Sequence, residues 1–158
     1  MEMVITGHTS GIGKYIYEHY SGVGLSRATG FDITKDDISP YITTQTTFIN
    51  NAWAYNDPWA QGRMLKQSLH AKKIICIGTN SQYHGVYTES KNVLKNTCHN
   101  LFCEGYDVTY LALGKVDTPF TDKYHPNDLV INKAYIIQCI EFILSSAYRI
   151  EILSVRPD

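Results

Sequence analysis

No apolar run in this chain is long enough to cross a bilayer. The longest mostly apolar stretch, Ala134 to Leu144, is interrupted by Gln138 and Glu141. Nor is there an excess of one charge, since 14 Lys and Arg face 15 Asp and Glu, for a formal net charge of −1. Nucleic acid and membrane surfaces are therefore not expected partners. Cysteine is sparse: Cys76, Cys98, Cys103 and Cys139 lack the close pairing of a zinc site or a redox Cys-x-x-Cys. No metal centre is expected, and scattered free thiols suit a reducing compartment. The six histidines are equally dispersed, and only His8 and His84 fall near the chemistry discussed below. Met3 already opens an apolar strand, with no basic leader before it, which leads us to expect a cytoplasmic protein.

What is there is an alternation. The 158 residues suit one domain, spanning 1–158, able to bury roughly two-thirds of its unfolded surface. Short β-rich runs at Met3–Thr6, Val23–Arg27, Thr47–Asn50, Lys73–Thr79, Val108–Leu113 and Ile150–Val155 read as buried strands, with Phe31–Ile33 a further short one. Helical patterns lie between them at Gly11–Tyr20, Pro58–His70, Val86–Glu104 and Leu129–Ala147. Asp57 and Pro58 form an N-cap and N1 pair for the second helix, and Asp128 is placed to cap the last. Such alternation predicts an α/β fold, a Rossmann-like doubly wound parallel sheet with helices on both faces. Ligands then lie beyond the carboxyl ends of the strands, near the topological switch point.

Several motifs follow predicted strands and so converge on that rim. Gly7, Gly11 and Gly13 sit in Thr6-Gly-His-Thr-Ser-Gly-Ile-Gly13, at a strand-to-helix turn. Glycines there allow a tight turn, close approach of a pyrophosphate and tight helix packing, with Ser10 and Ile12 beside them. Ser26 and Arg27 end the second strand, where an adenosine ribose would lie. An acidic residue there would repel a 2′-phosphate, whereas the Arg27 fork attracts one and Ser26 adds a donor. The bland alternative is a solvated arginine at a strand end. Asp32 either accepts from an adenine amino group or caps a helix near Lys35–Ile38. Tyr87 and Lys91 are four apart on one helix, so a nearby ammonium favours the phenolate and makes Tyr87 a usable acid. Thr79 and Ser81 offer hydroxyls that either polarise a carbonyl or simply build a turn. Trp53, Tyr55, Trp59 and Tyr83 lie near the same rim, as pocket walls or plain packing.

This combination resembles the short-chain dehydrogenase/reductase family over almost the whole chain. Thr6–Gly13 is similar to the family's Thr-Gly-x-x-x-Gly-x-Gly turn, and Asn50-Asn51-Ala52 to its Asn-Asn-Ala-Gly segment. Tyr87 and Lys91 match its Tyr-x-x-x-Lys pair, and Gly114, Val116 and Thr118 its Pro-Gly-x-Val-x-Thr segment. The resemblance implies that Tyr87 protonates a carbonyl oxygen, while Lys91 holds the nicotinamide ribose and tunes Tyr87. It implies that Gly114, Val116 and Thr118 contact the carboxamide, and that Asn51 and Ala52 border the cofactor. Thr79 takes the family's serine position, or Ser81 if the loop has shifted.

The departures are specific. The chain is short for the family, with no room for a helix between Arg27 and Asp32 and a substrate segment cut to about Thr121–Asp128. Trp53 stands where the motif has Gly, Leu113 where it has Pro, and Asn56 is a weak stand-in for the family's catalytic Asn. The Ser26–Thr34 segment looks more like that of sugar-nucleotide keto-reductases, whose extra substrate domain is missing. The resemblance implies an oxidoreductase with NADP(H) preferred over NAD(H), acting on a small-molecule carbonyl or alcohol. The alternative is a non-catalytic NADP(H)-binding sensor of the same fold. A homodimer or homotetramer is expected through the Val86–Glu104 helix, whose Val86, Val93 and Leu101 form an apolar side.

Overall fold

The computed structural model describes residues 2–80, 85–119, 123 and 129–157. Ser81, Tyr83, His84, Asp128 and, apart from Lys123, the loop before it lie outside the described residues. Six parallel strands form one sheet: β1 (Glu2–Thr6), β2 (Val23–Leu25), β3 (Thr46–Asn50), β4 (Lys73–Thr79), β5 (Val108–Leu113) and β6 (Ile152–Val155). Their spatial order is β2-β1-β3-β4-β5-β6. The chain steps outward from β1 to β2, then returns across β1 to lay down β3. Connections therefore diverge above β1 and β3, and a crevice opens at their carboxyl ends.

Among the described residues, the sheet is covered by helices α1 (Gly11–Tyr20), α2 (Ala60–Gln67), α3 (Val86–Cys103) and α4 (Ala134–Ser145). The strands are apolar on both sides, as a doubly covered parallel sheet requires. Val4, Phe48, Ile74, Cys76, Val108 and Tyr110 point to the face shared with Met64 and Leu65 of α2 and Leu94 and Cys98 of α3. Their neighbours Ile5, Ile49, Ile75, Ile77 and Leu111 point to the other face, with Ile16 of α1 and Ile136, Ile140 and Ile143 of α4. One period-2 alternation thus feeds two cores.

The sequence reading needs correction at the element ends. Phe31–Ile33 is not a strand. Phe31, Ile33, Ile38 and Ile42 instead anchor an irregular crossover from β2 to β3, which holds only short 3₁₀ turns at Arg27–Thr29 and Ser39–Tyr41. Helix α2 starts at Ala60, because Asp57 bonds the Trp59 N–H (3.0 Å) and pairs with Arg63 in a turn before the helix. Helix α4 starts at Ala134, because Ile131 is held in a parallel bridge with Val116. The apolar side expected on α3 is partly turned into the chain, with Val86 and Val93 left half-buried. Leu101 is buried, and Val93 packs near Gly62 of α2, where an added Cβ would meet Val93 Cγ1 at 3.8 Å. Exposed positions on α3 are polar, among them Asn92, Lys95, Asn96, His99 and Asn100.

Gly78 interrupts the apolar β4 run for a steric reason. A Cβ there would lie 2.0 Å from the Tyr110 ring, whose hydroxyl accepts from the Thr79 N–H at 3.0 Å. Gly78→Ala is expected to cost about 1–3 kcal/mol of stability by overpacking, measurable by urea unfolding.

Candidate active site

The crevice is organised by one threonine. Thr6 is fully buried at the end of β1, and its Oγ1 accepts the backbone N–H groups of Asn51 (3.0 Å) and Ala52 (3.1 Å). The same hydroxyl donates to the Ile49 carbonyl (3.4 Å), while Asn51 Nδ2 donates to the Thr6 carbonyl (3.1 Å). The glycine turn and the segment after β3 are thereby fixed against each other. Gly7 and Gly13 are required by that closeness: an added Cβ would stand 2.8 Å and 2.5 Å, respectively, from Asn51 Nδ2.

Gly11 has a different setting. Its φ is +53°, and an added Cβ would meet nothing within 4 Å, so the turn's backbone lies open. Ser10 is extended and makes no side-chain cap to α1, whose first turn carries no acidic residue. The N–H groups of the first turn, around Ile12, thus face outward with the positive end of the helix dipole. The cradle fits a pyrophosphate in shape and charge.

At the β2 end the arrangement is partly self-directed. Ser26 lies beyond β2, and its backbone N–H is bonded by Thr29 Oγ1 (3.1 Å) within the 3₁₀ turn that Arg27 begins. The Arg27 side chain is 65% exposed, with Nε 4.0 Å from Asp32 Oδ2. Asp32 accepts from the backbone N–H (2.9 Å) and hydroxyl (2.8 Å) of Thr34. Those bonds hold its carboxyl below the usual range, with a smaller contribution from Arg27. No helix stands at Lys35–Ile38 for Asp32 to cap; its carboxylate closes a turn onto Thr34 instead.

Helix α3 carries Tyr87 and Lys91 on one side. The Lys91 ammonium stands 5.5 Å from the centre of the Tyr87 ring, and the Trp53 ring meets that ring from another side at 5.1 Å and 77°. Lys91 itself is 4% exposed, on the buried stripe with Leu94, Cys98 and Leu101. Its Nζ donates to Gln61 Oε1 (2.7 Å) and the Ile77 carbonyl (2.9 Å). Burial pulls its pKa down to about 8, against an opposing effect of Cys76 and Cys98. Gln61 is locked in turn: its Nε2 donates to the Asn50 carbonyl (3.1 Å), and Asn50 Nδ2 returns a bond to the Gln61 carbonyl (2.8 Å).

Gln61 is the residue that sequence reasoning missed. Asn56 is exposed, whereas Gln61 sits one turn before the apolar pair Met64 and Leu65, on the inward face of α2. That i, i+3, i+4 pattern was available as a signal. Tyr110 was missed too: its hydroxyl donates towards the carbonyls of Thr79 (3.3 Å) and Lys91 (3.4 Å), tying β4 to α3.

Thr79 ends β4, with its hydroxyl directed to the Leu113 carbonyl of β5 (3.3 Å). Asn80 braces the same rim, donating to the Val155 carbonyl (2.8 Å) and Ser154 Oγ (3.1 Å). The Gly114–Thr118 turn follows β5. The Gly114 N–H bonds Val155 (2.8 Å), and Val116 is buried beneath the turn at its bridge with Ile131. The structure therefore brings the glycine turn, Asn51, Ala52, Thr79 and Gly114 to one end of the sheet, with Tyr87 and Lys91 on the adjoining helix. A cavity of about 490 Å³ opens elsewhere, at the amino end of the strands, lined by Glu2, Gln45, Thr47, Lys72, Lys73 and Leu144. It contains none of these residues.

Comparison with known proteins agrees with the architecture. No family model matches the sequence, and no curated protein matches it. Solved structures do. A β-ketoacyl-[ACP] reductase from Bacteroides thetaiotaomicron superposes with a TM-score of 0.73 at 17% identity, covering all of this chain and 97% of that one. A 3-α-hydroxysteroid dehydrogenase from a Pseudomonas species, solved with NADH, gives 0.70 at 14%, covering 99% and 95%. A short-chain dehydrogenase from Burkholderia cenocepacia, solved with NADP, gives 0.71 at 15%, covering 98% and 90%. The chain has the fold of short-chain dehydrogenases and reductases. Among the described residues, no helix is long and apolar enough to cross a membrane.

Lys91 makes the site's pH dependence predictable. Its folded pKa of about 8 lies below the ordinary 10.5, so between those values the unfolded chain binds more protons than the folded one. Stability from this group must rise as pH rises through that window. The unfolding free energy of wild type minus that of Lys91→Met should become more positive from pH 8 to 10. Urea unfolding at stepped pH measures it, and a flat difference would refute the burial of a titrating amine.

Proposed function

We propose that this chain is a pyridine-nucleotide oxidoreductase of the short-chain dehydrogenase/reductase type, using NADP(H) in preference to NAD(H) to interconvert a small carbonyl and its alcohol. One observation carries the reading. The uncapped α1 terminus and the Tyr87–Lys91 pair belong to elements that Thr6 and Gln61 tie to the same segment after β3. A nucleotide site and a proton donor are thus built as one unit. Neighbours solved with NADH and with NADP support a nicotinamide cofactor in general.

The residues divide the work. Gly7, Ser10, Gly11, Ile12 and Gly13 would hold the pyrophosphate on backbone N–H groups. Arg27 would pair with a 2′-phosphate, helped by Ser26, which is the basis for preferring NADP(H). Asn51 and Ala52 would border the ribose, and Gly114, Val116 and Thr118 the carboxamide. When bound, the nucleotide supplies or accepts hydride. Tyr87 gives its phenolic proton to the substrate oxygen in reduction and takes it back in oxidation. Lys91 holds positive charge beside the phenol and favours its ionised form. Thr79 orients the carbonyl, with Ser81 as the other hydroxyl of that loop.

The non-catalytic alternative rests on one observation as well. The Lys91 ammonium is enclosed, with two of its donors given to Gln61 and Ile77 rather than left for a ribose. Calorimetry and turnover separate the two readings. NADPH should bind more tightly than NADH, and Arg27→Ala should lose about tenfold or more of NADPH affinity only. NADPH-dependent reduction of a panel of aldehydes and ketones should fall about 100-fold or more in Tyr87→Phe. Binding without turnover of any carbonyl would favour the sensor. Failure to bind either nucleotide would dismiss both.

A further inference from the structure

We infer that Trp53 is a positioning residue for Tyr87, packing edge-to-face against the phenol ring beside which the Lys91 ammonium also stands. The position is unusual for this chain's own motif, since Asn50-Asn51-Ala52 is followed by the largest side chain where the matching pattern has the smallest. The geometry shows what the large side chain does. The Trp53 ring meets the Tyr87 ring at 5.1 Å and 77°, a favourable edge-to-face contact. Tyr55 then meets Trp53 at 6.1 Å and 86°, backing the indole from outside while remaining 73% exposed itself.

The contact is made at a cost. Trp53 Nε1 is buried with no hydrogen-bond partner among the described residues, an arrangement that buried indoles usually avoid. Packing alone would be served by Phe or Leu without an orphaned donor. A large, stiff ring at that spot restricts Tyr87 to one orientation.

The contact also closes a mechanical loop. Trp53 lies three residues after Asn50, and Asn50 holds Gln61, which holds Lys91, whose ammonium lies over the Tyr87 ring. Two contacts on the Tyr87 ring thus trace back to the same end of β3. The role assigned here rests on the reading of Tyr87 as proton donor, while the contact itself does not.

The experiment uses Trp59→Phe as background, which leaves Trp53 the single tryptophan of the chain. Its emission should shift to the red in Tyr87→Ala and stay in place in Tyr87→Phe, because only the first removes the ring. With NADPH and 4-nitrobenzaldehyde as probes, Trp53→Ala should lower kcat about tenfold or more, with the NADPH dissociation constant and KM within about twofold. Trp53→Phe should recover most of the loss, and the pH profile of kcat should move in Trp53→Ala alone. Wild-type or higher kcat in Trp53→Ala or Trp53→Gly would overturn the proposal, as would emission indifferent to Tyr87→Ala. Protein that binds NADPH but never turns over any carbonyl would overturn the proton-donor reading and the positioning role with it. The emission measurement would still report whether the contact exists. Should Trp53→Ala fail to fold, Trp53→Phe and Trp53→Leu bracket the same test, since Leu keeps the volume and loses the ring. A Leu variant as active as Phe would then overturn the proposal.

Discussion

The hydroxyl of Thr6 is the point on which the rest of the crevice turns. A buried hydroxyl that donates once and accepts twice spends its whole bonding capacity, and here the partners are Ile49 of the neighbouring β3 and Asn51 and Ala52 directly after it. The result is a rigid corner between β1 and β3, at the place where the chain's winding reverses. From that corner the glycine turn departs to one side and Asn51 to Trp53 to the other. A valine at position 6 would keep the volume but strand two backbone N–H groups, each a desolvated donor with no acceptor. Sheet order alone creates a crevice; this hydroxyl gives the crevice fixed walls.

A second polar system, deeper in the protein, works under harsher terms. Lys91 lies within an apolar core face and keeps its ammonium only because Gln61 and the Ile77 carbonyl receive two of its N–H groups. Burying an amine this way lowers its proton affinity, which is the direction its pKa takes. The same desolvation strengthens its field at Tyr87, since little water intervenes to screen it. Stability is lowered at neutral pH by an element that, in the proposed reaction, would favour the phenolate of Tyr87.

Most of the architecture was legible because strand and helix periods differ so clearly here. β4 and β5 begin and end where their apolar runs do, and α1 and α3 follow their own apolar spacing. Boundaries failed where tertiary partners overrode local preference. Ile131 pairs with Val116 instead of opening α4, and Phe31 and Ile33 bury their side chains from an irregular segment that no period describes. The glycine turn was legible because backbone conformation demands glycine whatever the ligand. Gln61 was not, because a polar residue on a helix face is ordinarily a solvated one. Only contact with Lys91, thirty residues away, gives it meaning.

The apolar positions of α3 meet the same limit from the other direction. Apolar residues on one side of a helix demand a partner, but the sequence does not say whether that partner is another helix of the same chain. In this protein α2 is the partner: Gly62 brings it near Val93, and Leu101 sinks into the core beneath. Exposed positions on α3 are Glu89, Asn92, Lys95, Asn96, His99, Asn100 and Cys103, with Val86 and Val93 half-buried. Exposed apolar side chains stand at several other places among the described residues, Tyr55 and Trp59 before α2 and Tyr135, Phe142, Tyr148 and Ile152 on or near α4 and β6 among them. An apolar helix position is thus to be explained first by its own chain, before a partner chain is invoked.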